Sequence, residues 1–147
     1  MAVTTNWYGL AHKDQWGAGT AVSWTGDTIK CSLHTSTYTP NQDTDEFFSA
    51  ATNELGTGSG YTAGGVTLSG KSLNYNTSTN EAQLIASNAS WTTASFTART
   101  AVVYKSTGTA GTSPLLGYIG FGADQTVASG TFTIQWDATG VLKVVAS

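Results

Sequence analysis

Runs of apolar, β-branched and aromatic residues alternate with Gly, Pro, Asp and Ser along the C-terminal third of the chain. The runs lie within 95–105, 114–124 and 130–145, and the last of these ranges holds two of them. Short apolar runs separated by turn-forming residues are typical of successive antiparallel strands. The pattern therefore predicts four strands here, and it contains no recognisable catalytic or phosphate-binding motif.

Alternation of apolar and polar residues predicts further strands upstream. One strand runs through Ile29, Cys31 and Leu33, which share a face and are expected to point into a core. The ranges 66–75 and 81–86 are separated by a polar stretch and are predicted to form the two strands of a hairpin. Strand patterns therefore dominate the chain on both sides of its middle.

The range 43–56 is the best helix candidate. Asp43 or Thr44 can cap its start, the two acidic residues that follow favour the positive end of a helix, and Gly56 can end it. A helix of about three turns is predicted there. A shorter helix near Leu10 is a weaker candidate because a glycine precedes it.

Length and composition agree with an all-β fold. The chain has 147 residues, enough for one domain with a sizeable core, and only 10% of them are charged, against about 25% in an average domain. Thr and Gly fill the difference, and Thr favours strands. The prediction is a single domain over 1–147, a two-sheet β-sandwich that is Ig-like or jelly-roll-like, with one short helix. Residues 1–19 are a candidate N-terminal arm.

Charge and hydropathy exclude several partners. The net charge is −3, and the six basic residues are dispersed, whereas a nucleic-acid surface needs clustered Lys and Arg. No stretch reaches 18 consecutive apolar residues, and the first residues do not resemble a signal peptide, so we expect no membrane span and no secretory export. The single Cys31 cannot form an intrachain disulfide and is expected to be a buried apolar residue.

The candidates for chemistry are weak. Asp43, Asp45 and Glu46 form the one tight carboxylate cluster, but a calcium loop also needs a correctly spaced glycine, so helix capping is the preferred interpretation. His12 and His34 are too few for a histidine-built zinc site, and we expect both at solvated edges. The sequence therefore predicts no enzyme activity, no cofactor and no metal.

Aromatic residues leave two alternatives open. Five Trp and six Tyr are enough to build a sugar-stacking platform if several of them are exposed on one face. The preferred interpretation is structural: Trp91 and Trp136 belong to the core, and Trp7, Trp16 and Trp24 cover the ends of sheets.

Several segments resemble small structural proteins encoded in the genomes of tailed bacteriophages. The resemblance extends over nearly the whole chain and includes no catalytic motif. It is carried by 2–11, 27–45, 60–71, 98–104, 114–125 and 132–142, which read AVTTNWYGLA, DTIKCSLHTSTYTPNQDTD, GYTAGGVTLSGK, ARTAVVY, PLLGYIGFGADQ and FTIQWDATGVL.

The resemblance implies a virion structural protein, assembled in the host cytoplasm and located on the capsid surface. The leading hypothesis is a head decoration, or cement, protein that binds and stabilises the lattice of the major capsid protein. A homo-oligomer is left open, and the alternative is a tail-tip or fibre-associated protein that binds host-surface glycans. A glycan-cleaving virion enzyme is a third, weaker hypothesis. The partner is expected to contact the N-terminal segment and the loops 57–65 and 106–114. The candidate partner-binding residues are Val3, Trp7, Tyr8, Trp16, Tyr61 and Leu115.

Overall fold

The structure, a computed structural model, describes residues 2–17 and 21–146. Half of the chain lies in strands arranged in two sheets, with one short α-helix, which confirms the predicted all-β two-sheet fold. The elements are β1 Ala2–Val3, β2 Asn6–Trp7, α1 Gly9–Gln15, β3 Ile29–His34, a 3₁₀ turn Phe48–Ala50, β4 Val66–Thr67, β5 Ser72–Asn76, β6 Glu81–Ile85, β7 Ala89–Lys105, a 3₁₀ turn Ala110–Thr112, β8 Leu115–Trp136 and β9 Leu142–Val145.

A long hairpin of β7 and β8 forms the centre of the larger sheet. The two strands pair antiparallel from Tyr104 opposite Leu115 to Ala89 opposite Ile134. β3 lies antiparallel on the other side of β7, and β4 extends the sheet beyond it. On the β8 side, β1 pairs in parallel near Trp136 and β2 pairs antiparallel near Gly117. Both N-terminal strands therefore belong to the larger sheet.

The C-terminal third forms three strands instead of the four that were predicted. The runs within 114–124 and 130–137 merge into β8, which is 22 residues long. Gly122 and Ser129 have positive φ angles of 76° and 50°, and the register with β7 shifts several times along this strand. Such shifts mark bulges, which bend a strand without ending it. Residues interpreted as turns are therefore irregularities inside one strand.

Two apolar cores lie on opposite faces of the larger sheet. Ile29, Cys31 and Leu33 are fully buried in the main core, as their alternation predicted. The smaller core contains Tyr8 and Val102, and it also holds Ala11, Tyr38, Ala51, Tyr104 and Leu115. Burial on both faces explains why every residue of β3 except Lys30 is buried.

The helix predicted over 43–56 is wrong. The structure has turns there, then a single 3₁₀ turn at Phe48–Ala50. Tertiary contacts replace the helical hydrogen bonds: the Leu115 N–H donates to the Glu46 carbonyl at 2.9 Å, and the Phe48 N–H donates to the Ser113 carbonyl at 2.8 Å. The Phe48 ring also stacks on Tyr104 with centroids 4.0 Å apart. Pairing with a distant segment therefore overrides the local helix signals.

The N-terminal segment forms the α-helix that the sequence favoured less. α1 begins at Gly9, where a glycine is suited because an added Cβ would lie 3.0 Å from the Gln42 carbonyl oxygen. The Gly9 N–H donates to that same carbonyl at 2.8 Å. Ala11 on the helix and Tyr8 just before it are buried in the smaller core. The described part of 1–19 is thus packed on the domain rather than extended as an arm.

The smaller sheet has the order β5-β6-β9 and is antiparallel throughout. The β5–β6 hairpin confirms the predicted one, but its first strand begins at Ser72 instead of residue 66. Gly70, with a φ of 60°, separates it from β4, and a Cβ at this glycine would collide with Ser87. Every residue of β5 is exposed or only partly buried. The smaller sheet is therefore accessible to a partner.

Candidate functional site

An apolar groove of about 340 Å³ lies between α1 and the smaller sheet. No Asp, Glu, Lys or Arg lines it among the residues that the structure describes. His12, Gln15, Val22 and Ser23 contribute to its wall, and its apolar surface is formed by Trp7, Trp16, Trp24, Leu73, Leu84 and Val144. We call these six residues the apolar groove.

Two hydrogen bonds fix two of the indole rings of the groove. The Nε1–H of Trp7 donates to the Lys143 carbonyl at 2.8 Å, and the Nε1–H of Trp24 donates to the Ile85 carbonyl at 2.9 Å. The His12 ring lies 4.6 Å from that of Trp7. Since both indole donors are satisfied by the backbone of the smaller sheet, the rings tie that sheet to the rest of the domain.

Trp16 lies at the rim of the groove and, at 93%, is the most exposed large apolar residue among those that the structure describes. It directly follows α1, and its backbone N–H donates to the Lys13 carbonyl at 3.3 Å, which holds its backbone at the helix end. An exposed indole leaves a large apolar area in water, and Trp is enriched among residues that dominate binding interfaces. This side chain is therefore the strongest candidate contact of the molecule.

The other exposed large apolar residues of the described chain belong to the smaller sheet. Leu73, Tyr75 and Val144 are 60%, 54% and 44% exposed, and Val145 lies beside them in sequence. In the strand register, Tyr75 aligns with Ala82 and then with Val144, so these side chains share one face. Leu73 shares that face as well, since it lies two residues from Tyr75. Contiguous exposed apolar residues of this kind mark interaction surfaces.

Four of the predicted partner-binding residues are core residues in the structure. Val3 is 9% exposed, and Tyr8, Tyr61 and Leu115 are 2% exposed or less. A partner cannot contact these side chains while the fold is intact. Only Trp7 and Trp16, among the six predicted residues, meet at one accessible surface, which is the apolar groove.

Hydrogen bonding explains why two of these tyrosines are internal. The Tyr61 hydroxyl accepts from the Leu33 N–H at 3.0 Å and donates to Glu54 Oε1 at 2.6 Å. Tyr8 and Tyr38 join their hydroxyls at 2.7 Å. Burial raises the pKa of both Tyr8 and Tyr61 far above the ordinary value, and the hydrogen bonds with Tyr38 and with Glu54, respectively, raise it further. The loop at 57–65 is therefore anchored from within by Tyr61.

The prediction for one histidine is wrong. His34 is fully buried rather than at a solvated edge, whereas His12 is exposed. The Nδ1 of His34 lies 2.8 Å from the Thr52 carbonyl, so Nδ1 carries the proton. The Nε2 of His34 accepts from the Ser32 hydroxyl at 2.9 Å. Burial lowers the pKa of His34 to about 4. Neither Ser32 nor His34 has surface for a substrate to reach.

The carboxylates near residue 45 bind neighbouring groups. Asp45 accepts from the Tyr38 hydroxyl at 2.9 Å and from the Asn41 N–H at 3.0 Å, and Glu46 pairs with Lys13 at 3.1 Å. In the described ranges, no group of three His, Cys, Asp or Glu residues is placed to hold a metal ion. The single cysteine is also internal, and burial raises the pKa of its thiol.

The structural interpretation of the tryptophans holds for the core pair. Trp91 and Trp136 are buried in the main core, as predicted, and Trp24 is buried as well. Trp7 is partly buried, which leaves Trp16 as the exposed tryptophan of the described chain. A platform of several exposed indoles is therefore not present there.

The contribution of β5 and β9 to the groove was not predicted from the sequence. Leu73 and Val144 belong to segments predicted as strands, and the register of the smaller sheet places their side chains on one face. Alternation does not tell whether that face meets a core or water. The signal that was available is the short, uncharged stretch 72–76 with two large apolar residues.

Comparisons with known proteins add no assignment. No protein-family model, curated protein or solved structure matches this chain. The helix in the described part of the chain is too short to cross a membrane.

Proposed function

We propose that this chain is a structural protein of a tailed-bacteriophage particle that attaches to an assembled protein lattice through its apolar groove. The observation that carries the proposal is Trp16, which is 93% exposed at the rim of an uncharged groove. The exposed Leu73, Tyr75 and Val144 extend the same apolar surface across the smaller sheet. The most suitable lattice is that of the major capsid protein, as the sequence resemblance implies.

The chemistry of the surface supports a protein partner. Its described residues carry no charged side chain inside the groove, so binding there does not require a charge to lose its water. Replacing a tryptophan at the centre of a protein interface by alanine weakens the binding free energy by about 2–4 kcal/mol. A repeating lattice multiplies a modest energy at each site, because each attached copy bridges several subunits.

The proposed location is the outer surface of the capsid, after assembly in the host cytoplasm. The low fraction of charged residues, 10%, suits a protein whose surface is partly covered by a partner. A decoration protein of this kind stabilises the shell because it binds only the assembled lattice.

A binding experiment with particles that lack the protein tests the proposal. Purified chain is added to such particles, and the bound fraction is measured by co-sedimentation. We expect saturable binding that Trp16→Ala weakens by about 30-fold or more, whereas Trp16→Phe weakens it less. Thr92→Ala is the matched control, since Thr92 is exposed on β7 away from the groove.

Two results would overturn this function. One is unchanged head density in cryo-electron microscopy of particles that lack the protein. The other is equal binding by wild type and Trp16→Ala. The number of copies per particle separates the head from the tail: hundreds support decoration, and a handful together with glycan affinity supports the tail-tip alternative.

A further inference from the structure

The outer edge of β5 has no partner strand among the described residues. β5 pairs with β6 alone, so one side of its backbone faces outward. The direction in which the backbone N–H and C=O groups of each β6 residue point follows from its pairing with β9. There the Ala146 N–H donates to the Asn80 carbonyl at 2.8 Å. Along an antiparallel strand, successive residues direct their backbone N–H and C=O groups to one neighbouring strand and then to the other. The backbone groups of residues 80, 82 and 84 therefore point to β9, and those of 81, 83 and 85 point to β5.

The same alternation applies to β5. Ser72, Asn74 and Asn76 pair with the β6 residues that face this strand. The backbone N–H and C=O groups of Leu73 and Tyr75 therefore point away from β6. These four groups are available to a further strand, and both residues are more than half exposed.

The two edges of the smaller sheet differ in whether charges or other groups cover them. At β9, the carbonyl of Lys143 faces outward and is occupied by the Trp7 indole, and the strand carries the charge of Lys143. Charged residues, proline and covering groups are the usual means by which proteins block an edge strand. β5 has the sequence SLNYN, with no charge and no proline. It is the open edge of this sheet.

From this edge we infer that the protein forms a two-fold dimer in which β5 pairs antiparallel with β5 of a second copy. The strand is self-complementary about Asn74: Ser72 lies opposite Asn76, Leu73 opposite Tyr75, and Asn74 opposite itself. Each Leu73–Tyr75 pair exchanges two backbone hydrogen bonds, so the dimer contains four. The uncharged strand places no like charges together, and aliphatic–aromatic cross-strand pairs are favourable.

A second copy suits this edge because SLNYN brings no like charges together about the two-fold axis and places Leu73 opposite Tyr75. The pairing produces one continuous six-stranded sheet in the order β9-β6-β5-β5-β6-β9. Leu73 and Tyr75 lie on the same face in both copies, so the two exposed apolar faces become one surface. A five-residue strand makes a small interface compared with standard protein complexes, so the dimer should depend on concentration.

Sedimentation velocity over a dilution series of the full chain tests the dimer. We expect the wild-type mass to rise from 15.2 kDa towards twice that value as concentration increases. Asn74→Lys places two positive charges opposite each other at the two-fold axis, and Asn74→Glu does the same with negative charges. Each variant alone should remain monomeric, and an equimolar mixture should recover the dimer.

A matched control separates the edge from the hairpin. Ser78→Lys adds the same charge in the exposed turn and should dimerise like wild type. Asn74 also donates from its side chain to Gln83 at 2.9 Å, so thermal melting must show that both Asn74 variants are folded.

Three outcomes would overturn the dimer: a wild type that is monomeric at every concentration, Asn74 variants that dimerise unchanged, or masses that grow beyond two copies. The result is independent of the proposed function, because a monomer that still binds particles refutes only the dimer. A dimer that fails to bind particles refutes only the proposed function.

Discussion

Acid should destabilise this protein through one buried histidine. His34 has no exposed surface, and it packs between the rings of Tyr38 and Phe48, at centroid distances of 5.1 and 6.2 Å. Burial lowers its pKa from 6.5 to about 4. The neutral ring both donates to the Thr52 carbonyl and accepts from the Ser32 hydroxyl, so a second proton would displace the Ser32 bond.

The sign and size of the effect follow from proton linkage. Above pH 6.5 the imidazole is neutral in the folded and unfolded states, and its contribution to the free energy of unfolding is complete. Between pH 6.5 and about 4 the unfolded chain binds a proton that folded His34 does not, so stability falls as pH falls. At about 1.4 kcal/mol for each pH unit, the total loss is about 3 kcal/mol.

Urea unfolding at a series of pH values measures this loss. The wild-type free energy of unfolding should fall by about 1.4 kcal/mol per pH unit in the middle of the window. His34→Asn keeps a polar group near the Thr52 carbonyl but does not titrate, so its slope should be flat between pH 6 and 4.5. His12→Asn is the control, because His12 is exposed and its variant should keep the wild-type slope.

The carboxylates with a lowered pKa contribute mainly below this comparison window. The hydrogen bond from Lys143 holds the pKa of Glu81 below its usual value of 4.5, so the stability that Glu81 contributes is lost as the pH falls from about 4.5 to that lower pKa. Equal slopes for wild type and His34→Asn between pH 6 and 4.5 would refute the assignment to His34.

The remaining predictions concern stability and reactivity. Gly65→Ala should prevent stable folding, because φ is 75° and the new Cβ would meet the Cys31 carbonyl. Gly108→Ala has open space at its Cβ, so it should lower the free energy of unfolding, measured with a chemical denaturant, by only about 1–2 kcal/mol. Tyr38→Phe leaves the buried Tyr8 hydroxyl without its partner and should cost about 1–3 kcal/mol; an unchanged unfolding midpoint would contradict this. The Cys31 thiol should resist a thiol reagent until urea unfolds the chain, and rapid labelling of the native protein would contradict its burial.

Strand content was predictable because it depends on local patterns. The alternation through Ile29, Cys31 and Leu33 gave the correct buried face, and the hairpin at 72–85 was recognised from its polar turn. The helix over 43–56 failed because its backbone groups bond to the distant residues Ser113 and Leu115. Capping residues and glycines indicate only a local preference for a helix, and long-range backbone pairing can outweigh that preference.

Two of the six residues of the apolar groove were predicted as partner-binding residues. Trp7 and Trp16 were selected as large apolar residues near the N-terminus, and both line the groove. Tyr8 was selected on the same grounds, yet it is fully buried. Residue type alone does not separate these cases, because an aromatic side chain suits a core as well as an interface.

The sequence by itself determined the all-β fold class and a net charge of −3 with dispersed basic residues. It could do so because strand preference and charge are properties of neighbouring residues and of totals. Only the tertiary structure decided which apolar residues meet water: Leu73 and Val144 are exposed, whereas Leu115 is buried. Exposure depends on what packs against each face, and those contacts join residues that are far apart in the chain.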